Sequence, residues 1–167
     1  MIRRVAFKRA VLAGVAGAAA WEAAARPLAA AGVELFDIVR ILGMTALGAD
    51  APFWQWWTAG LAMHAAVGAI WAIFYAYFFW SAVELRPVLQ GIIFSLLPAM
   101  LAGSVMVPQL ELMQPEVAGR LGLFASGLGV WGPLTIVLGH LIYGAVLGSL
   151  YTRPVGYPVG RRVRFNV

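Results

Sequence analysis

Apolar residues dominate the chain in four stretches separated by more polar linkers. A helix needs about 20 residues to cross a bilayer, and each stretch is long enough to do so. The pattern therefore predicts an all-α protein with four transmembrane helices, at residues 10–31, 57–80, 88–107 and 128–151.

The linkers predict further elements. Apolar residues of the first linker recur at helical spacing, at Leu35, Ile38, Val39 and Leu42. Charged residues take another face of the same segment, which predicts a short amphipathic helix lying along the membrane surface. Linker 108–127 has a similar pattern interrupted by proline, and the short linker 81–87 predicts a tight antiparallel hairpin.

Composition agrees with a membrane location. The 167 residues are 62% hydrophobic and 11% charged, with a mean hydropathy of +0.85. A soluble domain carries about 25% charged residues, so apolar side chains here are expected to face lipid as well as one another. The chain has no cysteine, which excludes disulfides, thiolate metal sites and a cysteine nucleophile.

The net charge of +5 comes mainly from basic residues near the two ends. These residues are Arg3, Arg4, Lys8, Arg9, Arg153, Arg161, Arg162 and Arg164. Basic segments mark the cytoplasmic side and meet anionic lipid headgroups, so we expect a multi-pass protein with both termini cytoplasmic. Nucleic acid is not an expected partner, because no stretch interleaves aromatic with basic residues.

Two pairs of segments resemble each other. RAVLAG at 9–14 matches RPVLQG at 86–91 with an offset of 77, and HAAVGAIWAIFY at 64–75 matches HLIYGAVLGSLY at 140–151 with an offset of 76. The agreement predicts a tandem repeat of two-helix units related by an axis along the membrane normal. The basic N-terminus also resembles a secretory signal, but its internal counterpart favours an uncleaved first span.

The repeat divides one membrane domain into two units and a tail. Unit one covers about 5–82, unit two about 83–155, and a basic C-terminal tail 156–167. In this arrangement the second and fourth spans run in the same direction.

His64 and His140 are the candidate functional residues, because ionisable groups inside a membrane are costly. The repeat places them at similar depth on parallel helices, as axial ligation of a b-type haem requires. Gly68 and Gly144, four residues further on, would leave room for a flat macrocycle. The alternative is that each histidine hydrogen-bonds a neighbouring helix and the glycines allow close packing.

Glu22 and Arg26 are a second polar pair inside a predicted span. Their i, i+4 spacing favours an ion pair on one helix face. The alternative is a gate for protons or substrate.

Aromatic residues are dense near the end of the second span. They are expected to contact partner helices, a second copy of the chain or lipid. The candidate structural or partner residues are Trp71, Tyr75, Trp80 and Tyr151.

No Walker loop, HExxH, GxSxG or CxxC motif occurs, so no catalytic residue is assigned and we expect a protein that is not an enzyme. We expect an accessory or assembly subunit that packs against helices of a membrane complex. The first alternative is a bis-histidine haem b electron-transfer protein, and the second is a small transporter. Apart from the haem b of the first alternative, no cofactor is expected.

The four-span layout and the motif HLIYGAVLGSLY resemble a group of small bacterial inner-membrane proteins, of which the YagU-like proteins are one example. The resemblance covers about half of the chain, in the first, second and fourth spans. It implies the four-helix fold and the bacterial inner membrane, and it assigns no activity and no functional residue.

Overall fold

The described residues, 5–82 and 85–151 of a computed structural model, are mainly helical. They form six α-helices, with π-helical turns included in α3 and α4: α1 Phe7–Ala30, α2 Ile38–Leu47, α3 Phe53–Phe79, α4 Pro87–Met113, α5 Pro115–Ala118 and α6 Trp131–Leu150. A 3₁₀ segment covers Leu123–Leu128. The predicted basic tail at 156–167 lies outside the described residues, as do the basic residues at positions 3, 4 and 153.

Among the described residues, three helices are long and apolar enough to cross a membrane: α3, α4 and α6. Their length and composition indicate a membrane protein. The 24-residue α1 is also long enough, but it is less apolar, since it is rich in alanine and contains Glu22 and Arg26.

The helix α4 continues past its predicted end at residue 107 to Met113. A π-helical turn at Ala102–Met106 immediately precedes Pro108, which has no N–H to donate. The surface helix predicted for linker 108–127 is therefore reduced to the single turn of α5, because the start of this linker belongs to α4. Glu111 holds the chain that follows, because its Oε2 accepts the backbone N–H groups of Leu121 and Gly122 at 3.1 and 2.7 Å.

A left-handed turn precedes α6. Phe124 and Ala125 have φ angles of 53° and 55°, which cost an L-residue about 1–2 kcal/mol each. Packing offsets this cost: the Phe124 ring lies against Gly103, and the Ala125 carbonyl lies against Gly132. A side chain at either glycine would overlap these groups.

The four long helices pack in the spatial order α3, α1, α6, α4, with each neighbour antiparallel to the next. Glycines form the crossings. A Cβ at Gly14 of α1 would overlap the carbonyl of Gly68 in α3, and a Cβ at Gly91 of α4 would overlap the carbonyl of Gly144 in α6. Small residues therefore let the backbones approach closely, as is common between membrane helices.

The N-terminus of α1 and the C-terminus of α6 lie at the same end of the bundle, which we call the terminal end. The helix α2 lies at the opposite end, which we call the loop end. Aromatic and small residues form a core at the terminal end, around Tyr75, Phe94 and Leu147. A second core at the loop end includes Val39 of α2 and Ile136 of α6. The amphipathic helix predicted in the first linker thus exists, and it packs into this core rather than standing apart.

Candidate functional site

A cavity of about 310 Å³ lies between α3 and α4, with α1 and α6 behind it and α2 at its loop end. Its walls are mainly apolar. Both histidines line it, together with Trp21, Phe36, Leu42, Trp71, Leu101, Met106 and Tyr143. The structure thus brings His64 and His140 to one cavity, as two parallel helices with histidines at similar depth would require.

The His140 ring is fixed by its own helix. Its Nδ1 lies 2.7 Å from the carbonyl oxygen of Ile136. Because a carbonyl oxygen only accepts, Nδ1 carries the hydrogen, and Nε2 is left with its lone pair.

The His64 ring faces α1. Its buried Nδ1 lies 3.2 Å from Oε1 of Glu22 but forms no hydrogen bond. In the neutral ring, a lone pair on Nδ1 beside this negatively charged oxygen would be repelled, whereas an N–H there is attracted even without a linear contact. Nδ1–H is therefore favoured in the neutral ring, which leaves the lone pair on Nε2 of His64.

Glu22 belongs to a polar network that extends to the loop end. Arg26 donates to Oε2 of Glu22 from Nε at 3.1 Å and from one terminal nitrogen at 2.5 Å. It also donates to both carboxylate oxygens of Asp37, at 3.0 and 3.1 Å. The predicted Glu22–Arg26 pair is therefore part of a chain of four side chains, from Asp37 through Arg26 and Glu22 to His64.

Asp37 joins α1 to the start of α2. Its Oδ1 also accepts the backbone N–H of Arg40 at 3.0 Å, which caps α2. Burial raises the pKa of Asp37, but hydrogen bonds from Arg26 and Arg40 and their positive charges outweigh it, and the pKa lies below its ordinary value. Sequence reasoning counted Asp37 only as part of a polar face, since nothing local connects it with α1.

The two glycines that follow the histidines have different surroundings. Gly68 lines the cavity, and its carbonyl accepts the hydroxyl of Tyr143 at 2.6 Å. Both glycines lie at helix crossings, Gly68 against Gly14 and Gly144 against Gly91 and Ser95, but only Gly68 also lines the cavity. Sequence reasoning did not place Tyr143 among the candidate site residues.

The four aromatic candidates also lie in different parts of the structure. Trp71 lines the cavity and lies edge-on to Phe94, with ring centres 6.2 Å apart. Tyr75 and Tyr151 are buried in the terminal-end core, and the ring of Trp80 lies edge-on to Tyr151 at 5.5 Å. These rings therefore pack mainly within the chain.

Fold and cavity define a helical protein with membrane-compatible helices and one two-histidine site. Comparison with models of protein families, with curated proteins and with solved structures found no match. The resemblance to YagU-like proteins accordingly stays a prediction. Across residues 5–82 and 85–151, no three His, Asp or Glu side chains come together as a metal-ligand set.

Proposed function

We propose that this protein is an integral membrane protein that binds a small lipid-soluble molecule in the cavity between α3 and α4. One observation carries the proposal: two imidazoles from different helices line a single, mainly apolar cavity. Polar groups fixed in an apolar cavity are typical of sites that hold a ligand in one orientation.

The size of the cavity supports this function. Small-molecule sites have volumes of about 300–1,000 Å³, and the cavity of about 310 Å³ is at the lower end of this range. It would hold one ring or one short segment of a longer molecule. The helices α3 and α4 would present this site within the membrane, because both are apolar enough to span it.

A fourth span belongs to the proposal. The 24 residues of α1 would extend about 36 Å, enough to cross the hydrocarbon core. The polar residues Glu22 and Arg26 lie near the loop end and pair with Asp37, which lowers the cost of placing them in a membrane.

Duplication of a two-helix unit is supported by the glycine contacts. Gly14 contacts Gly68 in the first unit, and Gly91 contacts Gly144 in the second. These are the residues that coincide in the two repeated sequence segments, so the same crossing occurs twice at equivalent positions. The division at residues 5–82 and 83–155 rests on this equivalence and on the sequence offsets.

A subunit role in a larger complex is compatible with a ligand site and stays a prediction, as does transport. The proposed location is the bacterial inner membrane with both termini in the cytoplasm. Anionic headgroups would then meet the basic ends.

Blocking the cavity tests the proposal. Val67 lies at its rim with 41% of its surface exposed, and Ile70 on the same helix is 64% exposed and does not line the cavity. We expect Val67→Trp to weaken binding of 4-decylphenol at least tenfold, while Ile70→Trp binds it as the unchanged protein does. Native mass spectrometry of the detergent-solubilised protein counts the bound probe.

Two results would contradict the proposal. One is the absence of a stoichiometric complex with 4-decylphenol, and the other is equal loss of binding in Val67→Trp and Ile70→Trp. Thermal unfolding of both variants checks that they fold alike.

A b-type haem is a second candidate, favoured by the ring orientations. A metal-bound histidine commonly donates its other ring N–H to a carbonyl or carboxylate, and both histidines have Nδ1 facing such a group. Their Nε2 atoms would hold the haem iron, and the group would supply one-electron transfer. The cavity of about 310 Å³ holds about one ring, so the helices would have to separate to admit the whole macrocycle.

An absorption spectrum tests this candidate. Protein produced with added haem would show a Soret band that His64→Ala and His140→Ala each weaken or remove. The haem assignment is wrong if the protein shows no Soret band, or if the band is unchanged in both variants.

A further inference from the structure

The cavity opens between α3 and α4. Residues of its rim come from both helices and are substantially exposed: Val67 of α3 at 41%, and Leu101 and Val105 of α4 at 42% and 52%. Since both helices are long and apolar enough to span a membrane, a molecule would enter sideways from the bilayer. It could also leave an apolar tail between the helices.

The opposite side of the cavity is closed. Gly17 of α1 lies against the ring of Tyr143, and Gly139 of α6 lies against the ring of Trp21. The hydroxyl of Tyr143 is already bonded to the carbonyl of Gly68. A ligand that enters between α3 and α4 therefore meets the two imidazoles against a closed wall.

The two imidazoles offer the same chemistry to such a ligand. The Nδ1 of His140 donates to Ile136, and the Nδ1 of His64 faces the carboxylate of Glu22, so both Nε2 atoms present lone pairs. Two acceptors in an apolar cavity select a ligand with two hydrogen-bond donors, because an unmatched buried polar group costs free energy.

We propose that the preferred ligand is a neutral, lipid-soluble aromatic diol of the hydroquinone class, with its ring in the cavity and its apolar tail between α3 and α4. This inference rests on the proposed ligand-binding function. The two hydroxyls would donate to the Nε2 atoms of His64 and His140, and Trp71 and Trp21 would contact the ring.

Other headgroups fit this site less well. A quinone presents only carbonyl acceptors, which would face the two lone pairs. A phosphate or carboxylate would in addition be repelled by Glu22, whose Oε1 lies 3.2 Å from His64. A long-chain amine has donors, but its charge would lose its hydration in the apolar cavity.

A series of decyl compounds tests the inference. We expect 2-decylhydroquinone, measured without oxygen, to bind about tenfold more tightly than 4-decylphenol, since it forms one more hydrogen bond. The affinity of the hydroquinone should exceed that of its dimethyl ether by a larger factor, and it should also exceed that of decylamine. Native mass spectrometry gives the bound fraction in each titration.

Substitutions at His140 separate hydrogen bonding from metal ligation. His140→Gln supplies an oxygen acceptor and is expected to retain most hydroquinone binding. His140→Met has a weak acceptor that is nevertheless a haem ligand, so it is expected to lose about tenfold in hydroquinone affinity. Leu112→Ala, on the exposed part of α4, is the control and should bind normally.

The outcomes distinguish the two proposals. Equal affinity for the hydroquinone, the phenol and the dimethyl ether would overturn the diol inference and leave ligand binding standing, as would tighter binding of decylamine. Equal binding by His140→Gln and His140→Met would also overturn it. Absence of binding by every compound would overturn the proposed function itself.

Discussion

At the residue scale, Arg26 is the centre of the polar network. It contacts Glu22 on its own helix and Asp37 at the start of α2, so one guanidinium neutralises charge beside the cavity and ties two helices together. The fork geometry of arginine suits this double role, which a lysine would fill less well.

The Arg26–Asp37 contact can be tested separately from the helix cap. Asparagine caps a helix about as well as aspartate, so Asp37→Asn removes the ion pair and keeps the hydrogen bond to the backbone of Arg40. Since both side chains are about one-third exposed, we expect a loss of about 0.5–1 kcal/mol in the free energy of unfolding at neutral pH. Asp50→Asn is the matched control, and thermal unfolding in detergent is the measurement.

The same pair has a defined pH dependence. The pKa of Asp37 is lowered in the folded protein, so its stabilising contribution is present above its ordinary pKa of about 3.9 and is lost as the pH falls through the lower, folded value. The difference in stability between the unchanged protein and Asp37→Asn should therefore shrink below pH 4. A difference that grows on acidification would contradict this assignment.

At the scale of elements, glycine contacts determine how closely the helices approach. Gly14 and Gly91 each meet the backbone of the facing helix, α3 or α6, at the two equivalent crossings. In both cases the group opposite is a carbonyl rather than the end of a flexible side chain, so neither crossing can absorb a methyl group without moving a helix.

Substitution of these glycines by alanine should destabilise the protein, which is the reverse of the usual effect of this substitution in a helix. Alanine inside a helix is ordinarily favoured over glycine by about 0.5–1 kcal/mol. Here we expect Gly14→Ala and Gly91→Ala each to destabilise the protein by about 1–3 kcal/mol, because the added Cβ overlaps a backbone carbonyl. Ser149→Ala on the exposed face of α6 is the control, and a gain in melting temperature in either glycine variant would refute the close crossing.

At the scale of the whole molecule, α3 and α4 enclose the cavity without closing it. They meet at the terminal end, where the Phe94 ring contacts those of Trp71, Phe74 and Tyr75. At the loop end α2 covers the cavity with Ile38 and Leu42. In the proposed function, the opening between these contacts would admit a ligand from the bilayer.

The absence of cysteine makes the topology directly measurable. With four spans and cytoplasmic termini, Glu34→Cys and Glu116→Cys should react with a membrane-impermeant maleimide on intact spheroplasts. Phe7→Cys and Ala82→Cys should react only after permeabilisation. Labelling of Phe7→Cys and Glu34→Cys from the same side would mean that α1 does not span.

Much of the helical layout was determined by the sequence alone. The length of the apolar stretches predicted the long helices, helical spacing of apolar residues predicted α2, and local i, i+4 spacing predicted the Glu22–Arg26 pair. These features depend on residues close together in the chain, so their periodicity is visible without tertiary contacts. The predicted end at residue 107 was wrong for α4, which continues through a π turn and Pro108 to Met113.

Only the tertiary structure decided what each polar residue faces. It joined Asp37 to Arg26, set Glu22 against His64, and placed Gly68 but not Gly144 at the cavity. The physical reason is that helix spacing fixes which residues share a face, whereas the helix opposite that face depends on the packing of the whole bundle. The sequence determined two histidines on apolar helices, and the order α3, α1, α6, α4 brought both of them to the wall of one cavity.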